Sequence, residues 1–339
     1  MQHLVESANN FIFNALAPST RMTHQAAINS YLDAFDTFGE TAPVPATQTS
    51  LILWLTHSAT RTIRPLAPST LRTYLSSLTS VHQELGFYNL MEDKPLVNRC
   101  FKGIKRFKGD SSKLLRRPIT TDILVKVKSI LSDNFHCKLY FAAATLATYG
   151  LLRMGEFTVQ ANLLSSGGGM KVNAFKVLTL QQIKLFRADS TVVNLHHTNQ
   201  YDSVSYMSIT LRISKTDPFR KTVTIHVGNQ VPVQAMLRYL KVHPLLQSTS
   251  APLFVQSQLV HLPLTRDIMI EVTRKLLKLL GYDDTQFHGH SFRKGGATSL
   301  AKAGVSDSVI QLVGRWASEC YKLYIVTPME TLLEASRSM

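Results

Sequence analysis

At 339 residues, with 45% apolar and 17% charged residues, the chain can bury more than one core, which excludes an intrinsically disordered protein. Thirty-seven Lys and Arg against 22 Asp and Glu leave a formal net charge of +15 and a pI near 9.8, an excess that fits a polyanionic partner, nucleic acid before an anionic membrane surface. No run approaches the roughly 20 apolar residues of a membrane span. Cys100, Cys137 and Cys320 are odd in number and far apart, which argues against a disulfide framework and a Cys-x-x-Cys zinc site and for a reducing compartment. The opening MQHLVESANN lacks the layout of a secretory leader, so a soluble intracellular protein is expected.

Residues 1–97 read as a helical domain. The phrase LAPST occurs at residues 16–20 and again at 66–70, and each copy opens a helical pattern, because Pro, Ser and Thr belong at helix starts. Ile28, Tyr31, Leu32 and Phe35 follow the first copy at helical spacing, and Leu71, Tyr74, Leu75 and Leu78 follow the second. SLILWLTHSA supplies a short apolar helix between them, and the prolines of TAPVPA mark a loop. The repeat is too short for a solenoid and reflects two similar helix entries in one small bundle.

Residues 98–118, NRCFKGIKRFKGDSSKLLRRP, are strongly basic, with Asp110 the one acidic residue. Gly103, Gly109, two serines and Pro118 mark a helix running out into a flexible connector between domains. Lys102, Lys105, Arg106, Lys108, Arg116 and Arg117 are candidates for contact with a nucleic-acid backbone. A solvated charged surface explains the same segment equally well.

Residues 119–339 read as a second domain. PITTDILVKVKSIL has a capped helix start, and the nearly all-apolar FAAATLATYG belongs to a central buried helix. Gly167, Gly168 and Gly169 mark a loop, after which KVLTL, YMSITLRI and KTVTIHV carry strand character. Helices return with PVQAMLRYLKVH, the amphipathic DIMIEVTRKLLKLLGY, and the segment from Ser291. Helices, a small antiparallel sheet, then helices make an α+β domain within a mainly α chain.

Chemistry-bearing residues punctuate this domain. Arg153, in LLRMGEF, follows the buried helix, where a guanidinium needs an anion; Glu156 three residues on is one, an outside ligand is another. Lys215 sits in SKTDPFRK, a hairpin turn between two strand-like runs, where a lysine is ordinarily just solvated. His290 and Arg293, in HSFRKGGAT, lie three apart near a helix start that Ser291 could cap, a ready anion or phosphate site. His288 and His290 make a weak metal pair without a third ligand. Gly295 and Gly296 permit close approach of another backbone or of DNA. GRWASECYKLYI places Tyr321 and Tyr324 three residues apart, on neighbouring faces of one turn.

In order, LLRMGEF, SKTDPF, HSFRKGGAT and GRWASECYKLYI resemble the catalytic domain of the tyrosine recombinases (phage-integrase-like), and the helical domain ahead of them resembles that family's core-binding domain. LAPST before a helix, SKTDPF and HSFR with GRW and YI look most like the recombinases of eukaryotic mobile elements, the DIRS and Ngaro retrotransposons and the Crypton transposons. The resemblance implies a C-shaped clamp on double-stranded DNA, with a core-binding bundle over residues 1–97, a linker over 98–118 and a catalytic domain over 119–339. It implies a phenol attacking a phosphodiester to give a 3′-phosphotyrosyl link, so that DNA is recombined without metal or nucleotide cofactor. Arg153 and Arg293 would clamp the phosphate, His290 would bond it or help move the tyrosine proton, Lys215 would protonate the leaving oxygen, and Trp316 would donate its indole N–H. Glu156 would orient these groups.

The family's nucleophile lies some eight or nine residues past the Gly-x-Trp tryptophan, which implies Tyr324 rather than Tyr321. A dimer on each DNA site and a tetramer in the synapse follow from the same resemblance, with the tail TPMETLLEASRSM docking on a neighbour or folding back on its own domain. Nuclear localisation follows if the host is eukaryotic. A type IB topoisomerase or telomere resolvase would use the same site, and a domesticated, inactive DNA-binding protein would keep the fold alone.

Overall fold

The computed structural model of the protein describes residues 1–90, 92, 94–109, 116–160, 177–212, 222–259, 261–326, 333 and 336–338. The chain divides into two compact units, Met1–Leu114 and Leu115–Met339. It is mainly helical with one small antiparallel sheet, and no helix among the described residues is long and apolar enough to cross a membrane.

The first unit holds α1 (Gln2–Ala15), α2 (Pro18–Phe38), α3 (Gln48–Thr60), α4 (Pro68–Glu84) and α5 (Pro95–Lys108). The two LAPST phrases open α2 and α4 through their prolines, whose preset φ suits a first helical position. Neither helix start has a side-chain cap bond, so the Ser and Thr of the phrase act as ordinary first-turn residues. Tyr31 and Phe35 of α2, Trp54 and Leu55 of α3, and Leu71, Leu75 and Leu78 of α4 form one core. Leu32, at the same apparent spacing, is exposed, and Ala27 and Ala34 take the buried positions instead.

Val97 and Phe101 of α5 join that core. The basic connector expected over residues 98–118 therefore differs in its first half: through Lys108 it is a helix of the first unit. A lysine-rich helix keeps such a place by confining its apolar residues to one stripe.

The second unit is organised around α7 (Phe135–Tyr149), buried at every position from 139 to 148. A helix apolar all round needs neighbours on every side, and α6 (Thr121–Ile130), α9 (Gln230–Leu240) and α11 (Ser291–Lys302) provide them. The sheet has the order β2-β1-β3-β4, with β1 Ile183–Phe186, β2 Val192–Val193, β3 Tyr206–Leu211 and β4 Val223–Val227, all antiparallel. Ile183, Ile209 and Ile225 lie opposite one another across three strands and face the core, as do Leu185, Met207 and Val227.

KVLTL is not a strand where it is described. Thr179 leads into a 3₁₀ turn at Leu180–Gln182, held by Gln182 accepting from the Thr179 amide, and the strand begins at Ile183. Leu211 lies opposite Val223. Lys215, between these positions, is outside the described residues, as are Gly167, Gly168 and Gly169 and most of the C-terminal tail.

α11 is wedged between α7 and the segment entering α6. A Cβ on Gly295 would lie 1.7 Å from the Ile119 carbonyl oxygen, and one on Gly296 would lie 2.1 Å from that of Thr148. Neither oxygen can retreat, since both belong to packed backbone. Gly295→Ala is expected to cost about 3 kcal/mol, the upper range for overpacking. A chemical-denaturation midpoint unchanged from wild type would contradict this packing.

Candidate active site

The turn after α7 builds the site. A Cβ on Gly150 would lie 2.9 Å from the Leu146 carbonyl oxygen, and Leu151 follows in the left-handed region at φ 46°. Leu151 accepts from Nη1 of Arg293 and, at 3.1 Å, from Nη2 of Arg315. Arg153 precedes the single turn of α8 (Met154–Phe157). Its backbone N–H donates to Oε2 of Glu156 and its Nη1 to Oε1, both at 2.9 Å. Glu156 Oε2 also accepts from Nη2 of Arg315 at 3.0 Å. The Glu156 side chain is 4% exposed, so the pairing foreseen between Arg153 and Glu156 exists, inside a larger cluster.

Arg293 enters from the first turn of α11. Ser291 does not cap that helix: His290 holds the cap position, and the Ser291 hydroxyl, within the helix, accepts from the His288 amide at 3.0 Å. Arg293 is 0% exposed, and its Nη2 donates to the Gly314 carbonyl. Its guanidinium carbon lies 4.1 Å from the centroid of the Trp316 ring, a cation–π contact. Burial, with Arg153 and Arg315 nearby, pushes Arg293 down to about 9. Burial likewise lowers Arg315 from its ordinary value, against the opposing pull of Glu156.

Three guanidinium groups thus gather where there is one buried carboxylate, which bonds to Arg153 and Arg315, while Arg293 bonds to backbone carbonyls. Nε of Arg293 and Nε and Nη1 of Arg315 are buried with no hydrogen-bond acceptor among the described residues. Buried donors without acceptors are costly, and this surplus of positive charge and free N–H groups suits an anion with several oxygens.

Aromatic rings cover the cluster. α12 (Asp307–Gly314) ends at Arg315, which is left-handed at φ 57°. A Cβ on Gly314 would lie 1.6 Å from Cζ3 of Trp316, so glycine is what lets the indole fold back over the helix end. Tyr321 and Tyr324 follow in a 3₁₀ helix, Glu319–Tyr324, whose threefold repeat puts both rings on one side. Trp316 meets both, at 6.3 Å from Tyr321 and 5.1 Å from Tyr324, centroid to centroid.

The two phenols differ in surroundings. Tyr321 is buried and donates to Asp307 Oδ2 at 3.1 Å; burial and that carboxylate raise its pKa. Tyr324 is half-buried, 6.2 Å from the His290 ring and with its own ring 5.8 Å from the Arg293 guanidinium carbon. Its backbone carbonyl accepts from Thr298 Oγ1 at 3.2 Å, which ties the tyrosine segment to α11.

His290 keeps an exposed edge, yet the packing around its ring lowers its pKa, with Arg116, Arg266, Arg293 and Arg153 adding to the effect. His288 does not pair with His290; it faces Arg274, whose Nη2 lies 3.0 Å from Nδ1. His288 is lowered too, by desolvation first, then by Arg274, Arg116 and Arg266. Buried His243 is lowered by desolvation. A histidine lowered from 6.5 binds fewer protons folded than unfolded. Stability is therefore complete above pH 6.5 and lost as pH falls below it. Urea midpoints should decline between about pH 7 and about pH 5.5, and a flat profile would refute these environments.

The basic candidates separate between the two units. Lys102, Lys105 and Arg106 lie exposed on α5, whereas Lys108 donates to the Ala59 carbonyl. Lys102 and Lys105 line a cleft of about 400 Å³ with Pro68, Ser69, Arg72 and Phe101, at the start of α4. Arg116 and Arg117 belong to the second unit and are exposed. Among the described residues, Arg153, Glu156, His290, Arg293, Trp316 and Tyr324 are brought together. Sequence reasoning missed Arg315, Arg266 and Arg274. For Arg315 the signal was its place inside the Gly-x-Trp phrase; for Arg266, a cation at a helix start, against the helix dipole.

Comparison with known proteins bears on this arrangement. No curated protein sequence matches the chain. The chain is similar in structure to the Tn1549 transposon integrase in complex with transposon right end DNA, with a TM-score of 0.56, 12% identity and coverage of 95% of this chain and 94% of that one. The same integrase in complex with a circular intermediate DNA gives 0.54 at 13% identity, covering 96% and 95%. XerH site-specific recombinase bound to palindromic difH substrate gives 0.53 at 14% identity, covering 85% of this chain and 69% of that one. At such identities the likeness establishes the fold, that of the tyrosine recombinases. Residues 167–321 match the model described as the phage integrase family; Arg153 and Tyr324 fall outside that span and are placed by the structure. Residues 167–321 are therefore similar to the phage integrase family, within a chain that has the tyrosine recombinase fold.

Proposed function

We propose that the protein is a DNA strand transferase that cuts and rejoins duplex DNA through a 3′-phosphotyrosyl intermediate. The observation that carries this reading is the half-buried Tyr324 beside a three-guanidinium cluster, fully buried at Arg293, with unused donors. In the step we infer, the Tyr324 oxygen attacks the scissile phosphorus, its proton passing to His290, which its surroundings keep neutral at pH 7. The phosphorus–O5′ bond breaks, and the leaving oxygen takes a proton from Lys215. Arg153 and Arg293 meet the charge building on the nonbridging oxygens, and the Trp316 indole N–H donates to one of them. The phosphotyrosyl link retains the bond energy, so a 5′-hydroxyl can attack and release the tyrosine.

DNA fits the remaining charge. Arg116, Arg266 and Arg274 extend the positive field beyond the cluster; the first unit carries its own cations for a nucleic-acid backbone, Lys102, Lys105 and Arg106, with Lys108 there and Arg117 on the second unit as further contacts. The compared integrase is in complex with DNA and the compared recombinase is bound to its difH substrate, which supports duplex DNA as the partner here. A mobile element of the DIRS, Ngaro or Crypton kind, with a nuclear site of action and a synapse of four protomers, is the setting that the quoted sequence phrases favour.

The test is incubation with nicked duplexes bearing the ends of the protein's own element, followed by denaturing electrophoresis. A protein–DNA adduct that tyrosyl-DNA phosphodiesterase removes from the 3′ side is the expected product. Absence of any adduct on such duplexes would remove the reading.

A further inference from the structure

Arg315 is not among the residues assigned above to the phosphate or to the leaving group, yet its surroundings are the least ordinary in the unit. Its side chain is only 11% exposed, it is left-handed without being glycine, and it keeps two N–H-bearing nitrogens without acceptors. Leu151, whose carbonyl it meets at 3.1 Å, is also left-handed. A left-handed conformation costs a non-glycine residue of order 1–3 kcal/mol and persists where surrounding structure holds it. Two such residues in direct contact at one site require a common cause.

That cause lies in the connections of the Arg315 Nη2 atom. It donates to Glu156 Oε2 at 3.0 Å and to the Leu151 carbonyl at 3.1 Å. Glu156 holds Arg153 through both the side-chain Nη1 and the backbone N–H. Leu151 accepts from Arg293 as well. One nitrogen of Arg315 therefore joins the acceptor that fixes Arg153 to the acceptor that fixes Arg293. No other side chain among the described residues bonds to both.

The charge balance points the same way. Arg153 and Glu156 alone would form a neutral buried pair, and a carboxylate so committed weakens the pull of Arg153 on an incoming anion. A second cation on the other carboxylate oxygen shares that negative charge and returns the cluster to a surplus.

We propose that Arg315 is a positioning residue: it sets the spacing of Arg153 and Arg293 and, by sharing Glu156, keeps the site positive enough to hold a transferring phosphate. This rests on the strand-transfer reading. The role is exercised on phosphate charge, so it must fade when that charge is removed from the substrate.

The experiment compares adduct formation by wild type, Arg315→Gln and Arg315→Lys on two nicked duplexes, one natural and one carrying an uncharged methylphosphonate at the scissile position. On the natural duplex Arg315→Gln should be slower by about 30-fold or more, a size in keeping with loss of one preorganised electrostatic contact, and Arg315→Lys should recover part of that loss. On the methylphosphonate duplex the Gln variant should lie within about threefold of wild type, since there is no phosphate charge to hold. Equal losses on both duplexes, as a misfolded variant would give, overturn the positioning role. A natural-duplex rate for Arg315→Gln within about threefold of wild type overturns it too. Wild-type protein giving no adduct on either duplex overturns the strand-transfer reading and this inference with it.

Discussion

Tyr324→Phe is expected to abolish the protein–DNA adduct, with a loss of at least about 10⁴-fold, because removing a covalent nucleophile leaves no alternative path to the same intermediate. DNA affinity should stay near wild type, since one hydroxyl contributes little to an interface made of many phosphate contacts. Tyr321→Phe is the necessary companion. Its hydroxyl is engaged by Asp307 and its pKa is raised, so it is held as a neutral donor facing a carboxylate. That variant should form adduct within about fivefold of wild type, its loss arising only through looser packing of Trp316. An adduct that survives in Tyr324→Phe and disappears in Tyr321→Phe would reverse the assignment. The measurement is a time course on a nicked duplex, with binding followed separately by anisotropy.

The two tyrosines illustrate what spacing in sequence conveys. Their separation from Trp316 distinguishes them, and the fold gives that difference a physical form: one phenol tied to Asp307, the other beside His290 and Arg293. The order Arg153, His290, Arg293, Trp316, Tyr324 was legible through its resemblance to a known family, since each residue alone also had an ordinary reading. A guanidinium after a wholly apolar helix, or a histidine three residues before an arginine, stands out against its neighbours. Helix α7 was legible by its apolar run, as were α10 (Arg266–Leu279), by its amphipathic period, and the prolines that open α2 and α4.

Arg315 was missed although it stands inside the Gly-x-Trp phrase, because its significance lies in Glu156 and Leu151, more than 150 residues earlier. Only the close of α12 onto the turn after α7 brings them together. The boundary at α5 was obscured by composition. Its lysines and arginines dominate the local reading, while the two residues that dock it, Val97 and Phe101, are a small minority. The first strand was displaced for a different reason. Leu178 and Leu180 are as buried as strand residues would be, but Gln182 reaches back to the Thr179 amide and across to the Thr210 carbonyl. A side-chain bond thus bends the backbone into a turn before the ladder can begin, and apolar patterning does not register such bonds.

Arg293→Gln should cost adduct formation about 10³-fold, equivalent to about 4 kcal/mol of transition-state stabilisation. Arg293 carries the largest burial of any charge in the site and is pushed down to about 9 by that burial and by Arg153 and Arg315. A glutamine can still donate one bond toward Leu151 or Gly314, so the fold retains an acceptable partner there, but the charge and the planar fork are gone. Arg293→Lys separates these two contributions. It restores the charge on a single point without the fork that spans Leu151 and Gly314 and leaves Nε free, and it should recover less than about tenfold of the loss. Full recovery with lysine would mean that charge alone matters. Measured in the Tyr324→Phe background, Arg293→Gln should also reduce the slope of log affinity against log salt by about one unit, as expected for one phosphate contact removed. An unchanged slope with a lost rate would place Arg293 in support of the Leu151 and Gly314 turns rather than on the phosphate, and the chemistry would then fall to Arg153 and Arg315.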